Sequence, residues 1–285
     1  MIGYDPKNWL AVVFRFRGTV IPRVAGRTLF VAAISIGLYL LREKGIIDLA
    51  IPAAAHAMVG VALGLLLVFR TNASFDRYWE GRKLLGGIVN TVRNLRRQAA
   101  AYIEEDAGTE VARLGRLWLR AVFRSLRLEA LDEDDLEEAT AEERAEIERA
   151  VSPALVIAAR LSSLIASEAK AGRLSEERLR MIDENIDQLI DVLGGAERIV
   201  KTPVPFAYAH HIKTFLSLFC LTAPLALLGG MGALTPVAAT IVAFGLYGID
   251  EIGVEIEDPF GDDDNDLPMV EIFTALAKVL DELEP

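Results

Sequence analysis

An acidic stretch near the end of the chain holds the residues best suited to chemistry. It reads EDPFGDDDNDLP over residues 257–268 and places six carboxylates within ten positions. They are Glu257, Asp258, Asp262, Asp263, Asp264 and Asp266. Carboxylate oxygens bind hard cations such as Ca²⁺, and they also pair with arginine. The stretch is therefore a metal site, an acidic tail or a structural joint, and the rest of the chain has to distinguish these.

Other motifs that carry chemistry are missing from the sequence. It contains no phosphate-binding glycine loop, no HExxH and no nucleophile elbow. Its one cysteine, Cys220, excludes an intrachain disulfide and a Cys-cluster zinc site. His210 and His211 are adjacent and point about 100° apart on a helix, so they form a poor metal pair. His56 is interpreted as a packing hydrogen-bonder. We predict that the protein is not an enzyme.

The composition indicates that apolar and charged residues are segregated along the chain. Of 285 residues, 52% are hydrophobic and 25% are charged, a combination that is unusual for one soluble domain. The net charge of −11 argues against nucleic-acid binding, which depends on neutralising phosphates.

Long uncharged runs predict membrane-spanning helices. Residues 28–41 form a short run between Arg27 and Arg42, whose side chains could extend it by snorkelling. Residues 49–69 are long enough to cross a bilayer. The uncharged run 214–249 is divided by a GGMGALTP turn at 229–236. We predict four spans, with buried core helices as the alternative.

Basic residues are concentrated on one side of the spans. They are Lys7, Arg15, Arg17, Arg23 and Arg27 before the first span, and Arg70, Arg77, Arg82 and Lys83 after the second. The turn at 229–236 is uncharged. The positive-inside rule therefore predicts a multi-pass protein of the inner (plasma) membrane with both termini in the cytoplasm.

The middle of the chain predicts amphipathic helices. A new helix starts at Asn72 or Ser74, or the second span continues without a break. Gly108 and the acidic run 131–148 are expected to interrupt the pattern, and a later helix is expected to run from Ser175 to Leu193 and stop at Gly194-Gly195. Arginines at helical spacing either pair with the acidic run or form an electropositive surface. They are Arg113, Arg116, Arg120, Arg124 and Arg127.

The tail after Pro268 predicts a helix with one apolar face. Its members are Met269, Ile272, Phe273, Leu276, Val279, Leu280 and Leu283. We expect this face to pack on a neighbouring subunit.

The second span carries an apolar stripe. Val61, Leu65 and Phe69 recur at i, i+4 and i+8 and extend about 12 Å along one side of a helix. From the spacing alone, these residues are typical of a helix face that meets lipid or packs in a core.

Three stretches resemble the bestrophins, a family of pentameric ion channels. They are VALGLLLVFRTNASFDRYWEGRKLLGGIVN (61–90), ERIVKTPVPFAY (197–208) and IEDPFGDDDNDLP (256–268). Their order and spacing match, so the resemblance covers nearly the whole chain, and the last stretch is the most specific.

The resemblance implies five subunits around a pore that the second span lines. It places the family's hydrophobic neck on Val61, Leu65 and Phe69, and rings of apolar side chains can gate by dewetting. It places a second constriction in GRLSEERLRMID (172–183), at Glu177 or Arg178 with Leu179 adjacent. Five copies of Arg178 would favour anions such as chloride and five copies of Glu177 would favour cations, so charge selectivity stays open.

The resemblance also supplies a reading of the acidic stretch. In animal members the equivalent turn is a calcium clasp, whose matching positions here are Asp263 and Asp266 as side-chain ligands with carbonyls of Glu255 and Asp258. Two departures weaken the match, because the N-terminal segment is shorter and Asp258 replaces the usual asparagine. A joint held by salt bridges to N-terminal arginines is favoured over bound calcium.

Together these inferences predict an all-α membrane protein with four transmembrane helices and a large helical cytoplasmic region, assembled as a homopentamer in a lipid bilayer. The predicted segments are 1–27 (cytoplasmic), 28–69 (first two spans), 70–212 (cytoplasmic helices), 213–255 (last two spans) and 256–285 (acidic turn and C-terminal helix). The predicted function is conduction of small monovalent ions. The alternative is a membrane-anchored helical scaffold with an acidic metal-binding turn and no conduction.

Overall fold

The computed structural model describes residues 2–282, whose regular structure is entirely helical. In chain order the α-helices are α1 (Trp9–Val13), α2 (Ile21–Glu43), α3 (Ala53–Tyr102), α4 (Glu105–Leu126), α5 (Ala141–Arg149), α6 (Pro153–Lys170), α7 (Glu176–Lys201), α8 (Phe206–Met231), α9 (Thr235–Glu255) and α10 (Met269–Glu282). Short 3-10 helices lie at Asp134–Leu136 and Gly232–Leu234. The all-helical prediction is confirmed for these residues.

The described chain forms two compact units. The first unit contains residues 2–78, 203–258 and 262–266, and the second contains residues 79–202, 259–261 and 267–282. Within residues 2–282, three helical stretches are long and apolar enough to cross a membrane: Ile21–Glu43, Ala53–Tyr102 and Phe206–Glu255. The third stretch holds α8 and α9, which the 3-10 turn at Gly232–Leu234 separates.

The first unit packs α2, α8 and α9 together with the first part of α3. Its core is built from aliphatic and small side chains that allow the helices to approach closely. The buried members are Val24, Val31, Leu63, Leu67, Ile212, Leu216, Cys220, Ala239, Ala243 and Tyr247. Helix α2 is longer than the uncharged run 28–41 because its first turns contain Arg23 and Arg27, which find acidic partners described below.

Helix α3 continues for 50 residues without a break. Of the two predicted alternatives, the continuous one is correct, and no new helix begins at Asn72 or Ser74. The sequence from Phe69 to Glu80 contains neither glycine nor proline, so nothing local ends the helix there.

In the second unit, α3 and α7 lie in close antiparallel contact. A side chain at Gly87 would come within 2.9 Å of Val192, and one at Gly195 within 2.7 Å of Leu84. The prediction that Gly194-Gly195 ends the helix is therefore wrong, since α7 continues to Lys201. At Gly87 and Gly195 the absence of a side chain allows α3 and α7 to pack closely, and it does not end either helix. Gly108 likewise lies buried inside α4 instead of interrupting the helical pattern.

Four of the five arginines predicted to share a helix face lie beside acidic partners. Arg113 pairs with Glu110 and Glu143, Arg116 and Arg120 share Glu138, and Arg124 contacts Glu129, Asp132 and Asp135. Arg127 stacks its guanidinium over the ring of Phe123. The pairing alternative is confirmed for the first four arginines. The run 131–148 is not simply an exposed loop, because Leu136, Glu143 and Ile147 are buried.

Glu143 anchors this acidic run to α4. It completes a capping box with Thr140 at the start of α5 and accepts hydrogen bonds from Arg113 at 2.7 and 3.0 Å. Burial acts to raise the pKa of Glu143, but the bonds from Arg113 and Thr140 outweigh it and lower the pKa from 4.5 to about 2. The ionised carboxylate therefore stabilises the folded unit.

Replacing Glu143 with glutamine should lower the free energy of unfolding of the second unit by about 2–3 kcal/mol at neutral pH. Because the folded pKa is depressed, this contribution is complete above the unfolded value of 4.5 and disappears as the pH falls toward 2. Urea unfolding across that range measures it. Glu142→Gln, a change at an exposed neighbour, is the control and should be neutral. A difference between wild type and Glu143→Gln that is independent of pH would contradict the explanation.

Helix α10 packs on its own chain. Gly115 of α4 lies against Leu280, Phe123 meets Phe273 edge to face, and Arg96 of α3 donates to the Leu280 carbonyl at 2.8 Å. The prediction that the apolar face packs on a neighbouring subunit is therefore wrong for its central members, which α4 already covers. Leu283 of the predicted face lies outside the described residues.

Candidate functional site

The three predicted neck residues lie on one exposed face of α3 in the first unit. Relative to full exposure, Val61 is 75%, Leu65 56% and Phe69 57% accessible in the single chain. The opposite face is buried, with Leu63, Leu67 and Arg70 at 3% or less. The stripe is therefore not part of the intrachain core, which removes one of the alternatives considered for it.

A buried ion pair follows the stripe by a single residue. Arg70 is 3% exposed and its Nε lies 3.3 Å from Oδ1 of Asp250, which is 1% exposed. Asp250 also accepts a hydrogen bond from Lys213 at 3.0 Å, and Arg70 reaches Glu257 at 3.6 Å. The pair thus connects α3, α8, α9 and the start of the acidic stretch within the first unit.

More charged contacts extend this network. Arg27 of α2 pairs with Glu251 of α9 and lies over the ring of Tyr247. The carbonyl of Glu257 accepts a hydrogen bond from Arg77 at 3.0 Å. Every span-forming helix of the first unit thus contributes a charged side chain to the same cluster. Buried charges are costly unless paired, so the network constrains how these helices pack.

The acidic turn is attached to the N-terminal segment by a salt bridge. Arg23 contacts both carboxylate oxygens of Asp263, at 2.5 and 3.4 Å. Asn265 donates to the carbonyl of Gly18 at 3.0 Å and to the carboxylate of Glu255 at 2.8 Å. These are the contacts expected of a joint between the turn and the N-terminal arginines.

Asp266 is the most unusual carboxylate in the turn. It is buried, and its Oδ2 accepts the backbone N–H of Asp263 at 2.6 Å. Burial raises the pKa of Asp266 to about 7, and the carboxylates of Asp263, Asp258 and Glu255 add to the rise. Its Oδ1 is buried without a hydrogen-bond partner among the described residues.

The residues named for a calcium clasp offer a limited set of ligands. Of the two predicted side-chain ligands, the carboxylate of Asp263 is held by Arg23, and Asp266 keeps one oxygen without a hydrogen-bond partner. Across residues 2–282 no three His, Cys, Asp or Glu side chains are grouped so that they could hold a metal ion. Calcium prefers six to eight oxygens, so the side chains as folded fit an arginine-bound joint better than a cation site.

The predicted second constriction lies in the first turn of α7, in the second unit. Ser175 caps this helix by accepting the N–H of Arg178, and Glu177 and Arg178 are both exposed while Leu179 is half-buried. The guanidinium of Arg178 lies 5.0 Å from the ring centroid of Tyr102, at the end of α3. A cation over an aromatic face is held in place, which restricts where this charge can move.

The histidines behave as the sequence suggests. Nε2 of His56 lies 3.2 Å from both the Phe219 carbonyl and the Thr222 hydroxyl, so it forms a packing hydrogen bond. His210 and His211 stack on Phe206 and Phe215 respectively and point apart.

Sequence reasoning used Arg70 only as a basic residue flanking a span, and it missed Asp250 and Glu251. Each is the first or second charged residue after a long apolar run. Charges at the ends of neighbouring spans must be paired if those ends pack together, so their shared position was the available signal.

Comparison with known proteins identifies the family. Residues 1–282 match the family described as bacterial/fungal bestrophin protein. The chain belongs to the bestrophin family. This confirms the resemblance drawn from the neck, the ERIVKTPVPFAY stretch and the acidic turn.

Relatives of this bestrophin include proteins named as channels. A protein of Synechocystis sp., named voltage-dependent anion channel-forming protein, is 35% identical over 98% of this chain and 92% of its own length. An Escherichia coli K12 protein with the same descriptive name is 29% identical over 97% of this chain and 91% of its own.

Solved bestrophin structures share the fold. A crystal structure of a single-residue variant of a bacterial bestrophin homologue from Klebsiella pneumoniae has a TM-score of 0.87 and 29% identity, covering 92% of this chain and 99% of that one. A second structure of that homologue, solved by Zn-SAD phasing, has a TM-score of 0.85 and covers 93% of this chain and 98% of that one.

Proposed function

We propose that this bestrophin assembles as a homopentamer in the inner membrane and conducts small monovalent anions such as chloride. The observation that carries the proposal is the exposed stripe of Val61, Leu65 and Phe69 on a span-forming helix of a chain whose relatives are named anion channel-forming proteins. The predicted segments 1–27, 28–69, 70–212, 213–255 and 256–285 remain part of this proposal, with both termini cytoplasmic.

The exposed apolar face of α3 suits contact with lipid or with copies of α3 in a ring of subunits. The names of the relatives, anion channel-forming proteins, favour the ring. In a ring of subunits the exposed face meets its own copies around an axis. The apolar rings then form a constriction whose hydration controls ion passage.

Charge selectivity is assigned to the first turn of α7. Five Arg178 side chains held near Tyr102 would raise the local concentration of anions, whereas five Glu177 side chains would do so for cations. The names of the relatives favour Arg178 as the residue that faces the permeating ion, with Leu179 narrowing the passage.

Reversal potentials in asymmetric salt test both the function and this assignment. Detergent-solubilised protein should elute with a protein mass near five times 31.2 kDa. The current through protein reconstituted in liposomes should reverse close to the anion equilibrium potential. Arg178→Ala should reduce the anion-to-cation permeability ratio by about tenfold, the effect of losing roughly 1.4 kcal/mol of attraction. Glu177→Ala should leave the ratio unchanged or raise it.

Arg180→Ala is the matched control because it removes the same charge from an exposed position two residues along α7. Reversal near the cation potential, or equal effects of Arg178→Ala and Arg180→Ala, would refute the assignment. A protein without flux in any salt would favour the scaffold alternative.

The acidic turn is proposed to be a structural joint closed by Arg23 and Asp263. Millimolar Ca²⁺ should then leave the thermal unfolding midpoint of purified protein unchanged, because nothing that binds the native state is added. Mg²⁺ is the control for a general effect of salt. A rise with Ca²⁺ that Asp266→Asn abolishes would instead establish the calcium clasp.

A further inference from the structure

The N-terminal segment exposes aromatic side chains without a partner. We define the aromatic–basic segment as residues 7–17, KNWLAVVFRFR, which contains α1. Trp9 and Phe14 are each 70% exposed and Phe16 is 69% exposed, and α1 has no buried residue. So much aromatic surface in water is unfavourable, so a partner outside the single chain is needed.

The exposed apolar residues share one side of the segment. Trp9 and Val13 are four positions apart, as are Leu10 and Phe14, and the two pairs are neighbours on a helix. They form a continuous apolar face, which suits a broad surface better than a single pocket.

The cations of the segment also lack partners. Lys7, Arg15 and Arg17 are exposed, and none forms an ion pair with a residue in the described part of the chain. Arg15 donates only to the carbonyl of Gly3, at 3.1 Å. By contrast, Arg23 and Arg27 just beyond the segment each hold a carboxylate. Among the basic residues from position 7 to position 27, those without an ion pair in the described part of the chain are thus the ones in the aromatic stretch.

The location of the segment indicates the kind of partner. Its last residue lies four positions before Ile21, where α2 begins, and α2 is apolar enough to span a membrane. Aromatic and basic side chains flanking a span are the residues that settle at the headgroup level of a bilayer. No acidic residue occurs from position 6 to position 42, but the acidic turn 262–264 lines a cavity with Phe16 and Arg17, so anionic headgroups must bind on the side of the segment away from that turn.

A cavity beside the segment offers room for a headgroup. Its volume is about 440 Å³, and Asn8, Arg15, Arg17 and Thr19 contribute to its lining together with one carboxylate, that of Asp5. Guanidinium groups bind phosphate through paired N–H donors.

We propose that residues 7–17 lie in the plane of the membrane surface, with Trp9 and Phe14 in the acyl boundary and Arg15 and Arg17 bound to phosphates of anionic phospholipids. A second copy of the same segment is a poorer partner, because its cations would meet like charges. This inference goes beyond conduction and does not depend on it.

Site-directed spin labelling of the full chain in vesicles tests the proposal. Cys220 is the only cysteine and is buried, so Cys220→Ala provides a background in which Phe14→Cys carries the label. In vesicles containing phosphatidylglycerol, the Phe14 label should be accessible to oxygen and protected from a water-soluble nickel chelate. Val151→Cys is the matched control: Val151 is fully exposed in the second unit, and its label should show the reverse pattern.

The role of the headgroup charge is tested in the same system. Arg15→Gln with Arg17→Gln should increase the collision of the Phe14 label with the nickel chelate about twofold, because each basic residue at the surface contributes to the attraction. Lys170→Gln with Lys278→Gln removes the same charge from the second unit and should have no effect. In vesicles of phosphatidylcholine alone, the labelled protein that retains Arg15 and Arg17 should show the same increase in collision with the nickel chelate as the double arginine variant.

Three results would overturn the proposal. Equal nickel accessibility of the Phe14 and Val151 labels would place the segment in water, and protection of the Phe14 label from both reagents would place it against protein, including a second copy. If the double arginine change leaves the nickel accessibility of the Phe14 label unaltered, the segment does not bind anionic lipid headgroups. Phe16→Cys provides a second labelling position in case Phe14→Cys does not fold.

Discussion

Replacing Val61, Leu65 and Phe69 together by alanine should raise anion flux through reconstituted protein by about tenfold, equivalent to a barrier lower by roughly 1.4 kcal/mol. An anion crossing rings of apolar side chains loses water contacts and gains no hydrogen bonds in return. Alanine widens the rings, so more of the hydration shell can pass and the constriction stays wet. Stopped-flow flux of chloride or iodide from liposomes, at matched protein density, measures the change.

A matched control separates the neck from general loosening of the helices. Leu218, Val237 and Ile241 are comparably exposed apolar residues on α8 and α9 of the same unit. If they face lipid, Leu218→Ala, Val237→Ala and Ile241→Ala together remove as many apolar side chains without touching the pathway. Their flux should equal that of wild type. An equal rise in both triple variants, or none in either, would remove Val61, Leu65 and Phe69 from the pathway.

Asp250→Ala should cost about 3–5 kcal/mol of stability, the usual effect of leaving a buried charge without its partner. Arg70 is nearly inaccessible to water and would lose the carboxylate 3.3 Å from its Nε, keeping only the longer contact with Glu257 at 3.6 Å. Lys213 loses the same partner but is half-exposed and can turn to solvent. The expected result is a marked fall in the thermal midpoint of the detergent-solubilised protein, followed by size-exclusion chromatography.

The double variant Asp250→Ala, Arg70→Met distinguishes an orphaned charge from lost packing. Removing both partners eliminates the uncompensated guanidinium, so at least part of the stability should return. Asp48→Ala, at an exposed position with no ion pair among residues 2–282, is the control and should be neutral. If Asp250→Ala is as mild as Asp48→Ala, the buried pair is not what holds the span ends together.

The sequence predicted the positions of the helices better than it predicted which residues pack against them. The apolar runs located α2, α3, α8 and α9 because span length and the absence of charge are local properties. The same local reading failed at Gly194-Gly195, where the glycines permit α7 to approach Leu84, a residue 111 positions away in sequence. Glycine occurs both where helices end and where two helices pack closely. Which of the two applies depends on whether another helix lies against the glycine in the folded chain.

The candidate site shows the same division. The stripe of Val61, Leu65 and Phe69 follows from the helix period and needed no three-dimensional information. The Arg70–Asp250 pair joins residues 180 positions apart, so the sequence around either residue does not indicate its partner. For α10 the apolar face was predicted correctly, but amphipathicity does not specify the covering surface, which is α4 of the same chain.

The placement of α10 has a consequence for biogenesis. Helix α10 supplies Phe273 and Leu280, which cover α4, a helix made about 150 residues earlier in the chain. The second unit therefore cannot close its core until α10 has left the ribosome. Chains that terminate a few turns early should be degraded as unfolded protein and should not accumulate as shortened, partly active subunits.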